Sequence, residues 1–445
     1  MTKETGQASE VLKGRRIGLS LTKVGRLLVI VTVLLSLSGC QSPFSPYPDE
    51  KVYLCEDRDQ KWIKDIMYLE TVLPKEHKNL YFKQGEDYFI GSLEDLKEKV
   101  EEYTDEEINF ELAKIVANMG DTHTHVNIGI GEQYPFSLYW YDEGIYIVDT
   151  TEDYKDLLYS RIISLNGNPM EEVAEAFKPF FAGANKQWFK NQVMYYIPSP
   201  DLLKDLGMIK EEKITLKLET LEGTIKEIGM EPITSEEVQF IQDERVYRLP
   251  LYKEHENENY WYEYLPEEKV LYVCYRSARE MPNKPFTIFT DEVFKFIKEN
   301  EVDKLVIDLR QNQGGGDGVF NPFLKKLKKN TLNTKGKLFV VMGRKTYSAG
   351  LNTVIKLKKN TNAILIGEPS GGQPNHYGET KMFRLPNSQL GVSYSTRYIK
   401  TLEDDRDYLE PDVLIGVSFE TEGTGSDAVL EWVKKSGMNN ENTFN

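Results

Sequence analysis

The chain has 445 residues, of which 40% are hydrophobic and 11% aromatic, and its formal net charge is −16. This composition is typical of a globular protein of two or three domains and excludes an intrinsically disordered chain. The acidic balance argues against nucleic acid as a partner, because phosphate binding needs a concentrated basic face and the sequence offers no basic patch with interleaved aromatic residues.

The first 39 residues are predicted to be a lipoprotein signal peptide. A basic segment precedes the mostly apolar run Leu27–Leu37, which is too short to cross a bilayer comfortably but has the length of a signal h-region. The run ends in Leu-Ser-Gly-Cys40, which resembles the bacterial lipobox, where the cysteine is lipidated. We therefore expect lipid on Cys40, a tether over residues 40–50, and a protein at the extracytoplasmic face of the bacterial cell membrane. An uncleaved anchor, or a secreted protein with an incidental cysteine, is the alternative.

The remaining cysteines indicate neither a disulfide framework nor a metal site. Cys274 lies in the apolar run Val270–Tyr275, where a buried free thiol is expected, and Cys55 is the only other thiol of the mature chain. The sequence has no CxxC pair, so a structural zinc site is not predicted. We expect no metal and no cofactor.

Residues 51–130 are predicted to form an N-terminal helical region. Apolar residues recur at helical spacing over Asp59–Thr71, and Pro74 is expected to close that helix. Thr104 and Glu107 form a capping box, which predicts the start of a second long helix. The region ends in the polar turn Asp-Thr-His-Thr-His and a short alternating strand.

Residues 131–235 are predicted to form a β-rich inserted domain. The phrase from Ser160 to Phe177, with a strand, an Asn-Gly turn and a helix, resembles the corresponding part of a PDZ domain. The predicted strands are Ser137–Tyr141, Gly144–Val148, Ser160–Leu165 and Lys213–Glu219.

Residues 236–437 are predicted to form the core, followed by a C-terminal tail over 438–445. From Tyr260 onward, continuous apolar strands alternate with helices, which indicates parallel pairing with right-handed crossovers. The C-terminal ends of parallel strands meet at one edge of a sheet, so we expect the three glycine-rich loops after these strands to lie together there. Those strands are Lys304–Leu309, Lys337–Met342 and Ala363–Gly367.

Ser348 lies where one of these strands turns into a helix. A serine in that position is exposed on a tight turn, beside free backbone N–H groups and the positive end of the helix dipole, and therefore suits a nucleophile. The alternative is that Ser348 is only the N-cap of the helix, since serine is a preferred cap residue.

The glycines near this turn are predicted to shape an oxyanion hole rather than a phosphate site. The Gly-Gly-Gly run lacks the Lys-Ser/Thr of a P-loop, and no GxGxxG precedes a helix, so nucleotide binding is not expected. Backbone N–H groups of Gly314 or Gly315, together with that of Ala349, could bind the negative oxygen of a tetrahedral intermediate.

A serine nucleophile needs a base, and the chain has five histidines. His77 and His255 lie among charged residues and are predicted to be on the surface. His123 and His125 follow a helix end in the polar turn, and alternation alone does not separate them because an extended segment would place both on one face. The groups that could orient the base are Asp121, Thr122, Glu379 and Glu410.

Five motifs now point to one family. The phrases TYSAG, DLRQNQGGG, GEPSGG, DTHT and LEPDV together resemble the C-terminal processing (tail-specific) serine peptidases and their tricorn-core relatives. The match runs across most of residues 60–435 and is densest over 300–415. The resemblance implies an α/β multi-domain fold with a crotonase/ClpP-like parallel-sheet core, a PDZ-like insert, Ser348 as nucleophile and an oxyanion hole from the glycine loop and Ala349.

Two departures decide which branch of the family fits. Members with a Ser–Lys dyad carry a lysine where this chain has Gln373, and many carry a glutamate where it has Leu351. The histidine-bearing branch shares the DxHT turn, and its match falls on His123. The resulting hypothesis is peptide-bond hydrolysis through an acyl-enzyme on Ser348, with His123 as general base near neutral pH.

Three other functions compete with this hypothesis. A catalytically silent binding protein could use the same fold to carry an apolar ligand or peptide. A metal hydrolase could use His123, His125 and Asp121 as ligands, although no second cluster completes such a site. The PDZ-like unit could itself be a peptide-binding adaptor.

Overall fold

The structure, a computed structural model, describes residues 50–241, 250–423 and 425–436. The predicted signal peptide, the lipidation site Cys40 and the C-terminal tail lie outside the described residues. None of the helices within these ranges is long and apolar enough to cross a membrane.

The described chain folds into eleven α-helices and seventeen β-strands. The helices are α1 (Arg58–Glu76), α2 (Glu86–Lys99), α3 (Asp105–Asn118), α4 (Met170–Ala176), α5 (Lys186–Tyr196), α6 (Pro200–Asp205), α7 (Phe286–Glu299), α8 (Asn321–Leu327), α9 (Ser348–Asn360), α10 (Phe419–Glu422) and α11 (Ala428–Lys435). The strands are β1 (His125–Val126), β2 (Glu132–Gln133), β3 (Phe136–Tyr141), β4 (Gly144–Thr150), β5 (Arg161–Leu165), β6 (Asn168–Pro169), β7 (Ile214–Glu219), β8 (Ile225–Met230), β9 (Ile233–Thr234), β10 (Tyr260–Leu265), β11 (Val270–Tyr275), β12 (Lys304–Asp308), β13 (Leu338–Met342), β14 (Ile364–Gly367), β15 (His376–Arg384), β16 (Gly391–Ile399) and β17 (Val413–Leu414).

The core is a six-stranded sheet in the order β10-β11-β12-β13-β14-β17. Only β10 is antiparallel to its neighbour, and the other pairs are parallel, as the continuous apolar strands predict. Alternate strand residues face opposite sides: Leu305 and Ile307 pack with α7, α8 and α9, whereas Val306 packs with α11. Both faces are therefore buried, which explains why these strands are apolar throughout.

The β-rich region is an antiparallel sheet in the order β3-β4-β5-β7-β8, with β6 paired to β5. Its predicted strands are present, and the Asn166-Gly167 turn has positive φ at both residues, as a tight hairpin turn requires. The helices α5 and α6 were not predicted, because polar residues interrupt the apolar pattern of both segments. The PDZ-like and crotonase-like assignments, and the domain boundaries, stay predictions.

The N-terminal helices differ from expectation at one position. The α1 helix continues through Pro74 to Glu76, so the prediction that proline closes it is wrong. A proline in the last turn removes only one N–H, and the turn still closes because His77 N–H donates to Leu73 O. The capping box at the start of α3 is confirmed: Glu107 N–H donates to Thr104 Oγ1, and Thr104 N–H donates to Glu107 Oε2.

Candidate active site

Ser348 is the first residue of α9, at the C-terminal end of β13. The N-cap position belongs to Tyr347, whose side chain makes no capping hydrogen bond, so the alternative that Ser348 is only a cap is wrong. Its backbone has φ 49°, in the left-handed region that non-glycine residues rarely occupy. Such strain persists only where the surrounding structure imposes it, and it is frequent at functional sites.

The three glycine-rich loops meet around Ser348, as predicted. A β-carbon on Gly314 would lie 2.8 Å from Ser348 Cβ, and one on Gly372 would lie 3.4 Å from Ser348 N. Gly350, on the first turn of α9, packs against the loop after β12 so closely that a β-carbon would lie 2.3 Å from Asn312 O. A side chain is therefore excluded at Gly314 and Gly350, where the added β-carbon would overlap atoms already present.

Two backbone N–H groups beside Ser348 are free. Gly314 N–H donates to Asn312 Oδ1 at 2.9 Å, whereas those of Gly315 and Ala349 have no acceptor among the residues that the structure describes. Gly315 bridges Ala278 next to β11, so its own N–H points away from β11. The neighbouring Gly314 is the residue of this loop that packs against Ser348 and Ala349 N.

Asn312 fixes the geometry of this loop pair. Its Nδ2 donates to Tyr275 O at 2.8 Å, and its backbone O accepts from Tyr347 N–H at 3.0 Å. Together with the bond from Gly314 N–H, these contacts tie the glycine loop to the residue that precedes Ser348. No sequence pattern indicates this role, since Asn312 is one polar residue among several in the loop.

His123 lies in the turn after α3 and is buried. Its Nδ1 is 2.8 Å from the phenol oxygen of Tyr347, the residue next to Ser348. Its Nε2 is buried and has no hydrogen-bond partner within the described part of the chain. Burial lowers the pKa of His123 to about 4; the charges of His376 and His125 add to this effect and that of Asp121 opposes it. The imidazole is therefore neutral at physiological pH, as a general base must be.

Asp121 is the carboxylate buried beside this imidazole. Its Oδ1 accepts from His123 N–H at 3.0 Å and is 3.8 Å from His123 Nδ1. Its Oδ2 is 3.0 Å from His77 Nε2 and accepts from Thr124 Oγ1 at 2.6 Å. The prediction that His77 is on the surface is wrong: its ring turns inward at the end of α1, because this carboxylate offers a buried partner.

The other candidate residues are exposed and are not buried beside the imidazole of His123. His125 is exposed on β1, and because the segment turns rather than extends, it does not share a face with His123. His255 is exposed, as predicted. Glu379 is exposed and pairs with Arg397 at 2.7 Å, and Glu410 is exposed as well. Neither glutamate is buried beside an imidazole, so the structure does not support them as orienting groups.

Metal ligation finds no support in the arrangement of side chains. Within the described residues, no group of three or more histidine, cysteine, aspartate or glutamate side chains could hold a metal ion. Cys55 and Cys274 are both free thiols, and Cys274 is buried, as expected.

The candidate base His123 belongs to a stack of four aromatic rings. The Tyr347 ring lies between His123, at 4.5 Å, and Trp188, at 4.1 Å, and the ring of His376 lies 5.3 Å from His123 on its other side. Trp188 belongs to α5, whose cap residue Asn185 donates to Gly371 O at 3.0 Å. The β-rich region thus contributes directly to the site. Sequence patterns missed Tyr347 and Trp188, because these two rings meet only in the fold.

A cavity of about 290 Å³ lies beside this stack. Its floor is formed by Asp121, Thr122 and His376. Three aromatic side chains, those of Phe82, Tyr377 and Tyr398, form an apolar wall, and a polar wall is formed by Asp405, Arg406 and Asp407. The cavity therefore has both apolar and polar lining, and it lies next to the stacked rings of His123 and His376.

Comparisons with known proteins found one family model and several solved structures that resemble the chain. Residues 321–415 match the model of peptidase family S41. The structure of mature CPAF complexed with lactacystin is similar in fold, with a TM-score of 0.61 and 13% sequence identity, over 85% of this chain and 98% of that chain. The photosystem II D1 C-terminal processing protease aligns at 13% identity over 84% of this chain and 99% of that chain, with a TM-score of 0.38, too low to carry an argument. No curated protein sequence matches the chain.

The fold and the family match together place the chain among the serine-type peptidases, which are hydrolases. The similarity to peptidase family S41 is carried by residues 321–415, which include Ser348. At these identities the solved structures establish similarity of fold alone, so the roles of individual residues rest on the geometry described above.

Proposed function

We propose that the chain is a membrane-anchored serine peptidase that hydrolyses peptide bonds at the extracytoplasmic face of the cell membrane. Ser348 is the nucleophile and His123 the general base. Gly315 and Ala349 donate the two N–H groups of the oxyanion hole. Gly314 is not a donor, because its N–H is already bound to Asn312. Its missing side chain leaves the space that lets the glycine loop lie against Ser348.

The chemistry follows from these roles. Ser348 Oγ attacks the carbonyl carbon of the peptide bond while His123 Nε2 takes up the hydroxyl proton, and the two N–H groups bind the oxyanion. Collapse of the intermediate breaks the C–N bond, and His123 returns the proton to the leaving amine. Water then attacks the acyl-enzyme with the same base, releasing the new carboxyl terminus and restoring Ser348.

One observation carries the proposal. Ser348 is held at φ 49° at the start of a helix, with a glycine backbone against its β-carbon, and the N–H groups of Gly315 and Ala349 have no acceptor among the described residues. A structural serine needs none of these features. A strained residue beside unused donors suits stabilisation of negative charge that develops only during reaction.

A second candidate function is a catalytically silent binding protein on the same fold. His123 Nε2 is buried without a partner in the described chain, so the base is not hydrogen-bonded to the nucleophile in this state. Catalytic hydrogen bonds are often long or absent before substrate binds, and the observation is therefore compatible with both functions. Cleavage separates them.

Lipid anchoring through Cys40 completes the proposal. Its support is the sequence alone, since Cys40 lies outside the described residues. Cys40→Ser should move the protein from the membrane fraction to the soluble fraction without altering cleavage by the purified enzyme. Retention in the membrane fraction would favour an uncleaved N-terminal anchor.

The experiment that tests the function is incubation of the mature protein with an unfolded protein substrate, followed by mass spectrometry of the products. A peptidase generates new peptide termini, and Ser348→Ala abolishes them while keeping the fold by circular dichroism. A silent binding protein would leave the substrate protein intact and generate no new termini.

A further inference from the structure

The Nδ1 atom of the proposed base is held by a phenol instead of a carboxylate. Tyr347 Oη lies 2.8 Å from His123 Nδ1, whereas the nearest carboxylate oxygen, Asp121 Oδ1, lies 3.8 Å away, which is beyond hydrogen-bond distance. That carboxylate instead accepts from the backbone N–H of His123. The residue that contacts the imidazole is thus the immediate neighbour of Ser348.

The phenol carries one hydrogen and has two partners. Tyr347 is buried, and burial raises its pKa well above the ordinary range, so it stays protonated. Its oxygen is also 2.6 Å from Thr122 Oγ1. In one arrangement His123 Nδ1–H donates to Tyr347, which donates to Thr122, and Nε2 keeps the lone pair that a base needs. In the other, Thr122 donates to Tyr347, which donates to Nδ1, and Nε2 carries the proton.

The carboxylate of Asp121 distinguishes the two arrangements. At 3.8 Å from Nδ1 its negative charge favours a proton on that nitrogen and disfavours a lone pair there. The hydroxyl of Thr122 can then act as acceptor for the phenol. The arrangement in which Nε2 is basic is therefore the favoured one.

We propose that Tyr347 is the positioning residue of the general base: its phenol, relayed to Thr122, holds His123 in the tautomer whose Nε2 accepts the proton of Ser348. The proposal rests on the proposed function and extends it to a residue outside the Ser–His pair. The stack of Tyr347 between His123 and Trp188 fixes the plane of the ring, so its oxygen can serve both partners without rotating away.

Two isosteric substitutions separate the hydrogen-bond relay from the packing. Tyr347→Phe removes the phenol oxygen and keeps the ring. Thr122→Val removes the acceptor, so Tyr347 O–H becomes free to donate to Nδ1 and favours the wrong tautomer. Thr122→Ser keeps the hydroxyl and is the matched control. The readout is the second-order rate constant for labelling of Ser348 by a fluorophosphonate.

We expect Tyr347→Phe and Thr122→Val each to slow labelling about tenfold, which is the size of one net hydrogen bond at the upper end of its range. Thr122→Ser should keep the wild-type rate within about twofold. In the Tyr347→Phe background, Thr122→Val should have no further effect, because the relay is already lost. Additive losses, or a normal rate in Tyr347→Phe, would overturn the proposal.

A measurement that does not depend on activity tests the role of Tyr347 separately from the proposed peptidase function. In histidine labelled with nitrogen-15, NMR reports which ring nitrogen carries the proton, and His123→Ala assigns the signal. We expect Nδ1–H at His123 in the wild type and a larger share of Nε2–H in Thr122→Val. A wild-type signal with the proton on Nε2 would refute the role of Tyr347 even if Ser348 reacts. Absence of labelling with Nδ1–H present would instead refute the peptidase mechanism.

Discussion

The backbone of Gly314 packs against the side chain of Ser348: a β-carbon on Gly314 would lie 2.8 Å from the β-carbon of Ser348 and 3.3 Å from its Oγ. Gly314 also has φ 116°, a conformation that residues with a side chain rarely adopt. The contact joins the loop after β12 to the start of α9. It therefore determines how closely an oxyanion could approach the free N–H groups of Gly315 and Ala349.

Gly314→Ala should strongly reduce the reactivity of Ser348. The added methyl group would displace the serine or the glycine loop, so we expect at least about a hundredfold slower fluorophosphonate labelling, comparable to loss of an oxyanion-hole donor. Gly318→Ala is the matched control, because a β-carbon there would meet only Asn321 Nδ2 at 3.6 Å. Labelling of Gly314→Ala at the wild-type rate would show that the close contact between Gly314 and Ser348 is not needed for reactivity.

The pH below which labelling of Ser348 slows should lie far below the value expected for a base with the pKa of an ordinary histidine. Burial lowers the pKa of His123 to about 4, and only the neutral imidazole can act as base. The labelling rate should therefore stay constant from neutral pH downwards and fall only as the pH drops through about 4. An exposed histidine would give a limit near pH 6.5.

The pH profile is measured with fluorophosphonate labelling of the free enzyme, which reports the pKa of its essential base. Circular dichroism at each pH checks that the fold is retained. A limit between pH 6 and 7 would show either that His123 is accessible to solvent in solution or that another group is the base.

Asp121→Asn should destabilise the fold most at neutral pH. Burial alone would raise the pKa of Asp121, but hydrogen bonds from His77 and Thr124, with the charge of His123, lower it overall. Because the folded-state pKa is below the unfolded value of about 3.9, the ionised carboxylate stabilises the fold above that value. This contribution is lost as the pH falls through the folded-state pKa.

The change in free energy of unfolding, measured by urea titration, should be about 1–3 kcal/mol at pH 7, the cost of leaving buried donors without an acceptor. The difference between Asp121→Asn and wild type should shrink at pH 3. Asp404→Asn, at an exposed carboxylate paired with Arg406, is the control and should change little at either pH. A constant difference across pH would contradict the lowered pKa.

Glu368→Gln should destabilise the loop beside the nucleophile. Arg344 and Glu368 are both buried and hydrogen-bonded, with Arg344 Nε 3.0 Å from Glu368 Oε2. Removing the carboxylate charge leaves a buried guanidinium without its partner, which costs about 3–5 kcal/mol. Chemical denaturation measures the loss.

The matched control for this pair is Arg397→Ala, which breaks the exposed ion pair with Glu379. Exposed pairs contribute about 0–1 kcal/mol, so the two variants should differ by several kilocalories per mole. Similar losses in both would mean that the Arg344–Glu368 pair is more hydrated in solution than its burial indicates.

Local patterns predicted the elements of the core well. The apolar runs that became β12, β13 and β14, and the capping box of Thr104 and Glu107, were recognisable because each depends on neighbouring residues in the chain. The gathering of the glycine loops around Ser348 followed from parallel pairing alone. The end of α1 was misplaced, because the turn around Pro74 loses one hydrogen bond but still closes through His77 N–H and Leu73 O.

Contacts between distant segments were not predictable from those patterns. His77 has charged neighbours in sequence, and only the fold brings Asp121 to its ring. Tyr347 stands beside the nucleophile in sequence, but its contact with His123 joins residues more than two hundred positions apart. The sequence left several possible orienting groups open, and only the fold shows that one of them, Glu379, pairs with the exposed Arg397.

The central claim is that Ser348 is a nucleophile activated by His123. The most direct measurement is fluorophosphonate labelling of the mature protein, with the modified residue identified by mass spectrometry, in the wild type, Ser348→Ala and His123→Ala. We expect labelling on Ser348 that is absent in Ser348→Ala and reduced by at least about a thousandfold in His123→Ala, with both variants folded. A folded wild-type protein that is not labelled, or His123→Ala labelled at the wild-type rate, would contradict the account.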